Sequence, residues 1–236
     1  FLSPNVFGLS YNHPTADTIN PILHAFKKKV IGGVFAEVIF QGQRKQEGMV
    51  IVPLDFDLNT DVIDLSLPDS DIMERLLATF PVSNTTKNHF FLFIDAFAEG
   101  KEKFMDCLYN CFGNAVTVLG AGAGSLSFKQ IPCIISNAGL QQNVVVLGLA
   151  SIAATIGVAH GWKPISKPLK ITESDDTKLI SLDWRPAFEV YKEIVEAHSD
   201  KEISEANFFE IAQSYPLGMV KLDAEHVVRD PYKVEG

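Results

Sequence analysis

Phe90-Phe91-Leu92-Phe93-Ile94-Asp95 is an apolar run closed by an acid, and a helical stretch follows it from about Gly100 to Phe112. Phe104, Cys107, Leu108 and Cys111 recur there at three- and four-residue intervals, the spacing of one helix face. Next come Val118-Leu119-Gly120-Ala121-Gly122-Ala123-Gly124 and Ile131-Pro132-Cys133-Ile134-Ile135. A polar turn at Gln141-Gln142-Asn143 then leads into Val144-Val145-Val146-Leu147. Short β-branched and aromatic runs bounded by glycine and polar residues read as strands. The predicted order is strand–helix–strand–strand–strand.

The same order stands earlier in the chain. Val6-Phe7-Gly8-Leu9-Ser10 precedes a helical stretch from about Ala16 to Lys29, with Ile19, Ile22, Leu23 and Phe26 on one face. Asp17 or Thr15 suits its start, and Lys27, Lys28 and Lys29 suit the negative end of its dipole. Val30-Ile31-Gly32-Gly33, Glu37-Val38-Ile39-Phe40, a polar turn over 41–47 and Met49 to Leu54 complete the copy. Two pseudo-repeats, about 1–65 and 88–150, are therefore expected. Matched glycine turns at Gly32-Gly33 and Gly120-Gly122 fall in corresponding places. Between the copies lie a short strand, Val62 to Leu65, and a helix from about Asp69 to Phe80 capped by Asp69 or Ser70.

Beyond Gly161-Trp162-Lys163-Pro164 the texture changes. Leu169–Thr172 and Leu179–Leu182 suggest a hairpin, and Pro186 opens an amphipathic helix carrying Ala187, Phe188, Tyr191, Ile194 and Val195 on one face. A second helix is expected near Ser204–Ser214, then an edge strand at Val227-Val228-Arg229. The fold class this predicts is α+β: mixed sheets covered by helices, plus a C-terminal α+β segment.

Composition narrows the function classes. Among 236 residues 47% are hydrophobic and 21% charged, which excludes a disordered tail or a coiled-coil rod. Twenty basic against 29 acidic residues give a net charge of −9, so no nucleic-acid partner is expected. Three cysteines imply no disulfide framework and suit a reducing, cytoplasmic setting. The uncharged stretch from Ile131 to Ala159 has a core from Val144 to Ala159, 16 residues that include Ser151 and Thr155, short of the roughly 20 apolar residues of a membrane-spanning helix. Consecutive buried strands, and no membrane span, are expected there.

No P-loop, HExxH, nucleophile elbow or paired CxxC is present, so no catalytic residue is assigned and a non-enzyme is expected. Gly120–Gly124 is followed by Leu126-Ser127-Phe128 and then a strand. The helix and distal acid of a dinucleotide fingerprint are missing. Bare glycine main chain lets a small anionic or zwitterionic ligand approach closely, and it equally lets a neighbouring strand pack closely. His160 reads as a ligand contact, a haem axial ligand or a satisfied strand-end histidine. Trp162 is either a binding platform or a core aromatic. Arg185 suits carboxylate recognition or a surface pairing with Asp183.

The run Gly161-Trp162-Lys163-Pro164-Ile165, then Lys170-Ile171-Thr172, then Leu182 through Tyr191 resembles the junction between the N- and C-terminal parts of FIST domains (F-box and intracellular signal transduction proteins). Val30 to Gly33, the glycines from Gly120, Asn137-Ala138-Gly139, Tyr215-Pro216-Leu217-Gly218 and Val228-Arg229-Asp230-Pro231 fall in the family's order. The family's second glycine segment usually carries acids just after the glycines, where this chain has Ser125 and Leu126. The resemblance implies a FIST N-terminal part over 1–158 and the start of the C-terminal part over 159–236.

It also implies a sensory role. Bacterial FIST proteins occur alone or joined to chemoreceptor, histidine-kinase and cyclic-dinucleotide signalling modules, and are associated with small ligands such as amino acids. Other members resemble haem-based nitric-oxide sensors or ubiquitin-ligase adaptors. The expectation is a sensory domain that needs no cofactor and holds a small polar, amino-acid-like metabolite between the pseudo-repeats. Main chain at Gly32, Gly33, Gly120 and Gly122 and the side chains of Ser125, Trp162 and Arg185 would form the site. The haem alternative would use His160.

Overall fold

The structure, a computed structural model, describes residues 5–10, 16–82, 87–124, 129–157, 159–175, 177–221 and 224–235. The chain divides into two compact units, Phe1–Thr155 and Ile156–Gly236.

In the first unit the elements run β1 (Asn5–Ser10), α1 (Ala16–Ala25), β2 (Val30–Phe35), β3 (Val38–Phe40), β4 (Gln43–Lys45), β5 (Met49–Pro53), β6 (Asn59–Asp64) and α2 (Asp69–Thr79). They continue with β7 (Asn88–Asp95), α3 (Lys101–Phe112), β8 (Val116–Ala123), β9 (Ile134–Ser136), β10 (Gly139–Gln141) and β11 (Val144–Ser151). The repeat is real at the level of pairing. β1 and β2 are parallel, with Val6 opposite Ile31, and β7 and β8 are parallel, with Phe90 opposite Val118. On its other edge β1 takes β5 antiparallel, and β7 takes β11 antiparallel. The copies then exchange strands. The β9–β10 hairpin of the second copy completes the sheet of the first, in the order β10-β9-β2-β1-β5. β6, from the connection, completes the sheet of the second, in the order β6-β11-β7-β8.

Strand alternation shows how the layers stack. Phe90, Leu92 and Ile94 of β7 and Val145, Leu147 and Leu149 of β11 pack with Ile72 and Leu76 of α2 and Phe104 and Leu108 of α3. The opposite faces of the same strands (Phe91, Phe93, Val144, Val146) join a second core with Ile31 and Ile134 of the first sheet and Ile19 and Leu23 of α1. Phe35 of β2 meets Phe93 edge to face at 6.1 Å, fixing the side of β2 that faces the second sheet. Each fully buried phenylalanine such as Phe90 or Phe104 contributes about 2 kcal/mol.

Several expectations are corrected. The glycines are not turns: Gly32 and Gly33 lie inside β2, and Gly120 and Gly122 inside β8. α1 stops at Ala25 rather than Lys29, because Asn137 ends it. The Asn137 side-chain amide donates to the carbonyls of Phe26 (2.9 Å) and Lys28 (2.7 Å), and its oxygen accepts from Val30 N–H (3.0 Å). Carbonyls taken by a side chain no longer continue a helix. The polar stretch 41–47 contains β4, paired with β3 through Gln41 and Gly42, both at positive φ. α2 begins after Pro68, with no side-chain hydrogen bond from Asp69 or Ser70 to cap it.

The second unit holds β12 (Ile171–Asp175), β13 (Lys178–Leu182), β14 (Arg185–Pro186), α4 (Ala187–Ser199), α5 (Phe208–Ala212), β15 (Leu217–Lys221) and β16 (Ala224–Arg229). Tyr191, Val195, Ile203, Phe208 and Ile211 form its core. α5 is a single short turn, and β15 follows it to make a hairpin with β16 that the sequence reading did not predict. Residues 159–170 carry no helix or strand.

Candidate functional site

The carboxyl ends of β2, β7 and β8 converge in the first unit. Gly124 N–H, just past β8, donates to the Val34 carbonyl of β2 (2.9 Å), and Val34 N–H donates to the Cys133 carbonyl (2.8 Å). Ala96 N–H, just past β7, donates to the Ala123 carbonyl (2.9 Å). In open α/β sheets ligands gather at the carboxyl ends of parallel strands.

Asp95 closes β7 there. It is fully buried, and its carboxylate accepts from Phe97 N–H (3.0 Å), Asn143 N–H (2.8 Å) and the Gln130 side-chain amide (2.9 Å). Among the described residues no lysine, arginine or histidine pairs with it. Every donor it has among the described residues is neutral, so no positive charge stands beside this buried carboxyl group there. Two of its donors are main chain, whereas Gln130 is an exposed, exchangeable side chain. Asn143 sits in the left-handed region (φ 58), which asparagine tolerates, and its amide also reaches Asp64 at 3.2 Å. Asp64 is itself held below the usual carboxylate range, first by the main-chain N–H and then by the hydroxyl of Ser66.

Cys133 borders this carboxylate. Burial, with Asp95 adding to it, pushes its thiol up to about 12, so no thiolate nucleophile forms at neutral pH. Its S–H points to the Ala123 carbonyl at 3.6 Å. Cys107 and Cys111 are raised as well, chiefly by burial. Among the described residues no group of three or more His, Cys, Asp and Glu could hold a metal ion.

The glycines belong to the same region but are closely packed. A Cβ on Gly33 would lie 2.7 Å from Ala123 Cβ, and one on Gly122 would lie 3.0 Å from Ala96 Cβ. A Cβ on Gly120 would lie 2.1 Å from the carbonyl oxygen of Leu92, its partner in β7. Gly32 is buried between Phe7 of β1 and Ile135 of β9. Of the two readings of the glycines, close strand packing is what these contacts display. Ser125 lies outside the described residues.

Trp162 and Arg185 stand in the second unit. Trp162 is 45% exposed and so is no core aromatic. Arg185 pairs with Glu193 at 2.6 Å rather than with Asp183. His160 spends both ring nitrogens: Nδ1 accepts from Trp162 N–H (3.2 Å), which leaves Nε2 to donate to the His226 carbonyl (3.0 Å). A haem iron would have to displace one of these bonds, so His160 as it stands does not fit an axial ligand. Another histidine is more unusual. His89 of β7 is 3% exposed, and among the described residues neither ring nitrogen has a hydrogen-bond partner.

The sequence reading missed Asp95, Gln130 and Asn143. An acid ending an apolar run is a signal for such a group, but its partners are 35 and 48 residues away along the chain.

The FIST N domain family matches residues 6–185, covering both pseudo-repeats and reaching β14. The chain belongs to the FIST domain family. Membership suggests a sensory role in signal transduction. No curated protein and no solved structure matches this FIST domain. No helix among the described residues is long and apolar enough to cross a membrane.

Proposed function

We propose that this FIST domain is a non-catalytic sensory domain of intracellular signalling that binds a small amino-acid-like metabolite at the carboxyl ends of β7 and β8. One observation carries the reading: among the described residues Asp95 is a buried carboxylate with no cationic partner, and one of the hydrogen bonds it accepts comes from the exposed side chain of Gln130. A ligand ammonium taking the place of Gln130 would neutralise that charge at short range in a low-dielectric site, where such pairing is strongest. Gly122 and Gly124 bring no side chains of their own to this end of β8, and Ala96 and Phe97 pack against them.

The inert Cys133 thiol supports binding rather than catalysis. Three free cysteines support a reducing, cytoplasmic compartment. Binding would tighten the seam between Val34 and Gly124 and so bias the relation of the two sheets toward one arrangement. A signalling protein such as a chemoreceptor or histidine kinase would read that change.

A thermal-shift panel tests the proposal, with amino acids set against the matching 2-hydroxy acids, which lack the ammonium. An amino acid at 100 times its dissociation constant adds about 2.7 kcal/mol of stability. The hydroxy acid should add nothing. Equal shifts from both, or no shift from either, would contradict the Asp95 site.

A further inference from the structure

The second unit carries a surface that the proposed ligand site does not use. β13 and β14 are joined by a two-residue loop, Asp183-Trp184, closed by the Leu182–Arg185 pair. Both loop residues have positive φ, 47° and 65°, the geometry of a type I′ turn that favours Asp-Gly or Asn-Gly. A tryptophan in the second position is strained, and this one is 82% exposed, so burial does not offset the strain. The turn is nevertheless held firmly. Asp183 exchanges two hydrogen bonds with the main chain of Lys170, both 2.9 Å, and Trp184 N–H donates to the Thr172 hydroxyl at 3.0 Å.

Lys170 ends an arm whose other end is fixed by His160 on the His226 carbonyl. Every residue from Gly161 to Lys170 is exposed. The arm holds Lys163-Pro164 and Lys167-Pro168, and each proline confines the lysine before it to extended backbone. Between His160 and Thr172 there are three lysines and no acid, in a chain whose net charge is −9. None of the three has an ion pair among the described residues. Exposed indoles at both ends, Trp162 and Trp184, flank this basic stretch.

We propose that this arm and the Trp184 turn form a docking surface for an extended, acidic peptide segment of a partner protein. Its carboxylates would meet Lys163, Lys167 and Lys170, and its apolar residues would cover the Trp184 indole. The two Lys-Pro steps already restrict part of the arm's backbone to extended conformation, so binding orders less of it. This inference does not depend on the Asp95 site.

Trp162 and Trp184 are the only tryptophans, so fluorescence excited at wavelengths where the five tyrosines do not absorb reports on this surface alone. The probe is a synthetic peptide alternating glutamate with leucine and phenylalanine, with an oligothymidylate of equal charge as comparison. The peptide should shift the emission saturably, and the affinity should fall as salt rises. Lys163→Glu combined with Lys167→Glu should abolish the shift. Trp184→Gly relieves the strained turn, so it should melt higher than the parent while binding about 30-fold more weakly, as expected when a hot-spot tryptophan is lost. For that variant the shift is read on Trp162. Unchanged affinity in Trp184→Gly, emission that the peptide does not move, or oligothymidylate binding as tightly as the peptide would each overturn the proposal.

Discussion

Val34 and Gly124 are joined by a main-chain hydrogen bond of 2.9 Å that links the strand ends of two different sheets. Val34 also donates to Cys133, so both its polar main-chain groups hold segments of the second pseudo-repeat to the first. Around this seam glycines face both alanines and the rings of Phe35 and Phe97, and the space left for a methyl group varies from position to position.

That variation predicts an order. At Gly122 an added Cβ meets Ala96 Cβ at 3.0 Å, at Gly33 it meets Ala123 Cβ at 2.7 Å, and at Gly120 it meets main-chain oxygen at 2.1 Å. Alanine substitution should therefore cost least at Gly122 and more at Gly33. At Gly120, where the backbone must move, the cost should be about 3 kcal/mol. Urea denaturation of the three variants checks the order. Ala123→Gly should rescue Gly33→Ala, because it removes the other half of the clash.

Asn137 joins the copies by a separate route, bonding Phe26, Lys28 and Val30. Asn137→Ala leaves the buried Val30 N–H without its acceptor. A loss of about 1–3 kcal/mol is expected, measured as a lower denaturation midpoint at unchanged slope.

His89 should act in the opposite direction. Among the described residues this buried imidazole has no partner, so it has lost its water and gained no hydrogen bond there. His89→Leu should raise the melting temperature, with a gain of about 1–2 kcal/mol. A lower melting temperature would mean that the imidazole has a partner in solution.

Cys133 gives the chain an alkaline limb. Its folded value is raised from 9.0 to about 12, so the folded state binds this proton more tightly than the unfolded chain does. Its contribution is full below pH 9 and is lost as pH rises toward 12. Cys133→Ala should flatten the fall of stability across that window. In the parent at pH 8, disulfide-exchange reagents should reach Cys133 only as fast as the protein unfolds.

Much of the architecture was legible because it is local. Apolar runs ending at Asp95 and Ser10, helical spacing over Phe104 to Cys111, and Pro186 before an amphipathic face each report on their own few residues. Strand exchange was not legible, because nothing within Ile134–Ser136 says that its partner is β2, more than 100 residues earlier, rather than the adjacent β8. The glycine segments show the same limit. Bare main chain permits a ligand or a neighbouring strand, and only the positions of Leu92 and Ala123 decide between them. Asp95 looked like a strand end because its donors, Gln130 and Asn143, come from distant loops.

The most direct test of the central claim follows the amide resonances of Phe97 and Asn143, whose N–H groups donate to Asp95. In a heteronuclear NMR titration with the amino acid that gives the largest thermal shift, these two and Gly124 should move most. Gln130→Ala should alter the affinity and, because it takes a donor from a buried carboxylate, lower the melting temperature of the free protein as well. Perturbations that leave Phe97 and Asn143 in place while moving other residues would contradict the assignment of Asp95 as the ligand's anchor.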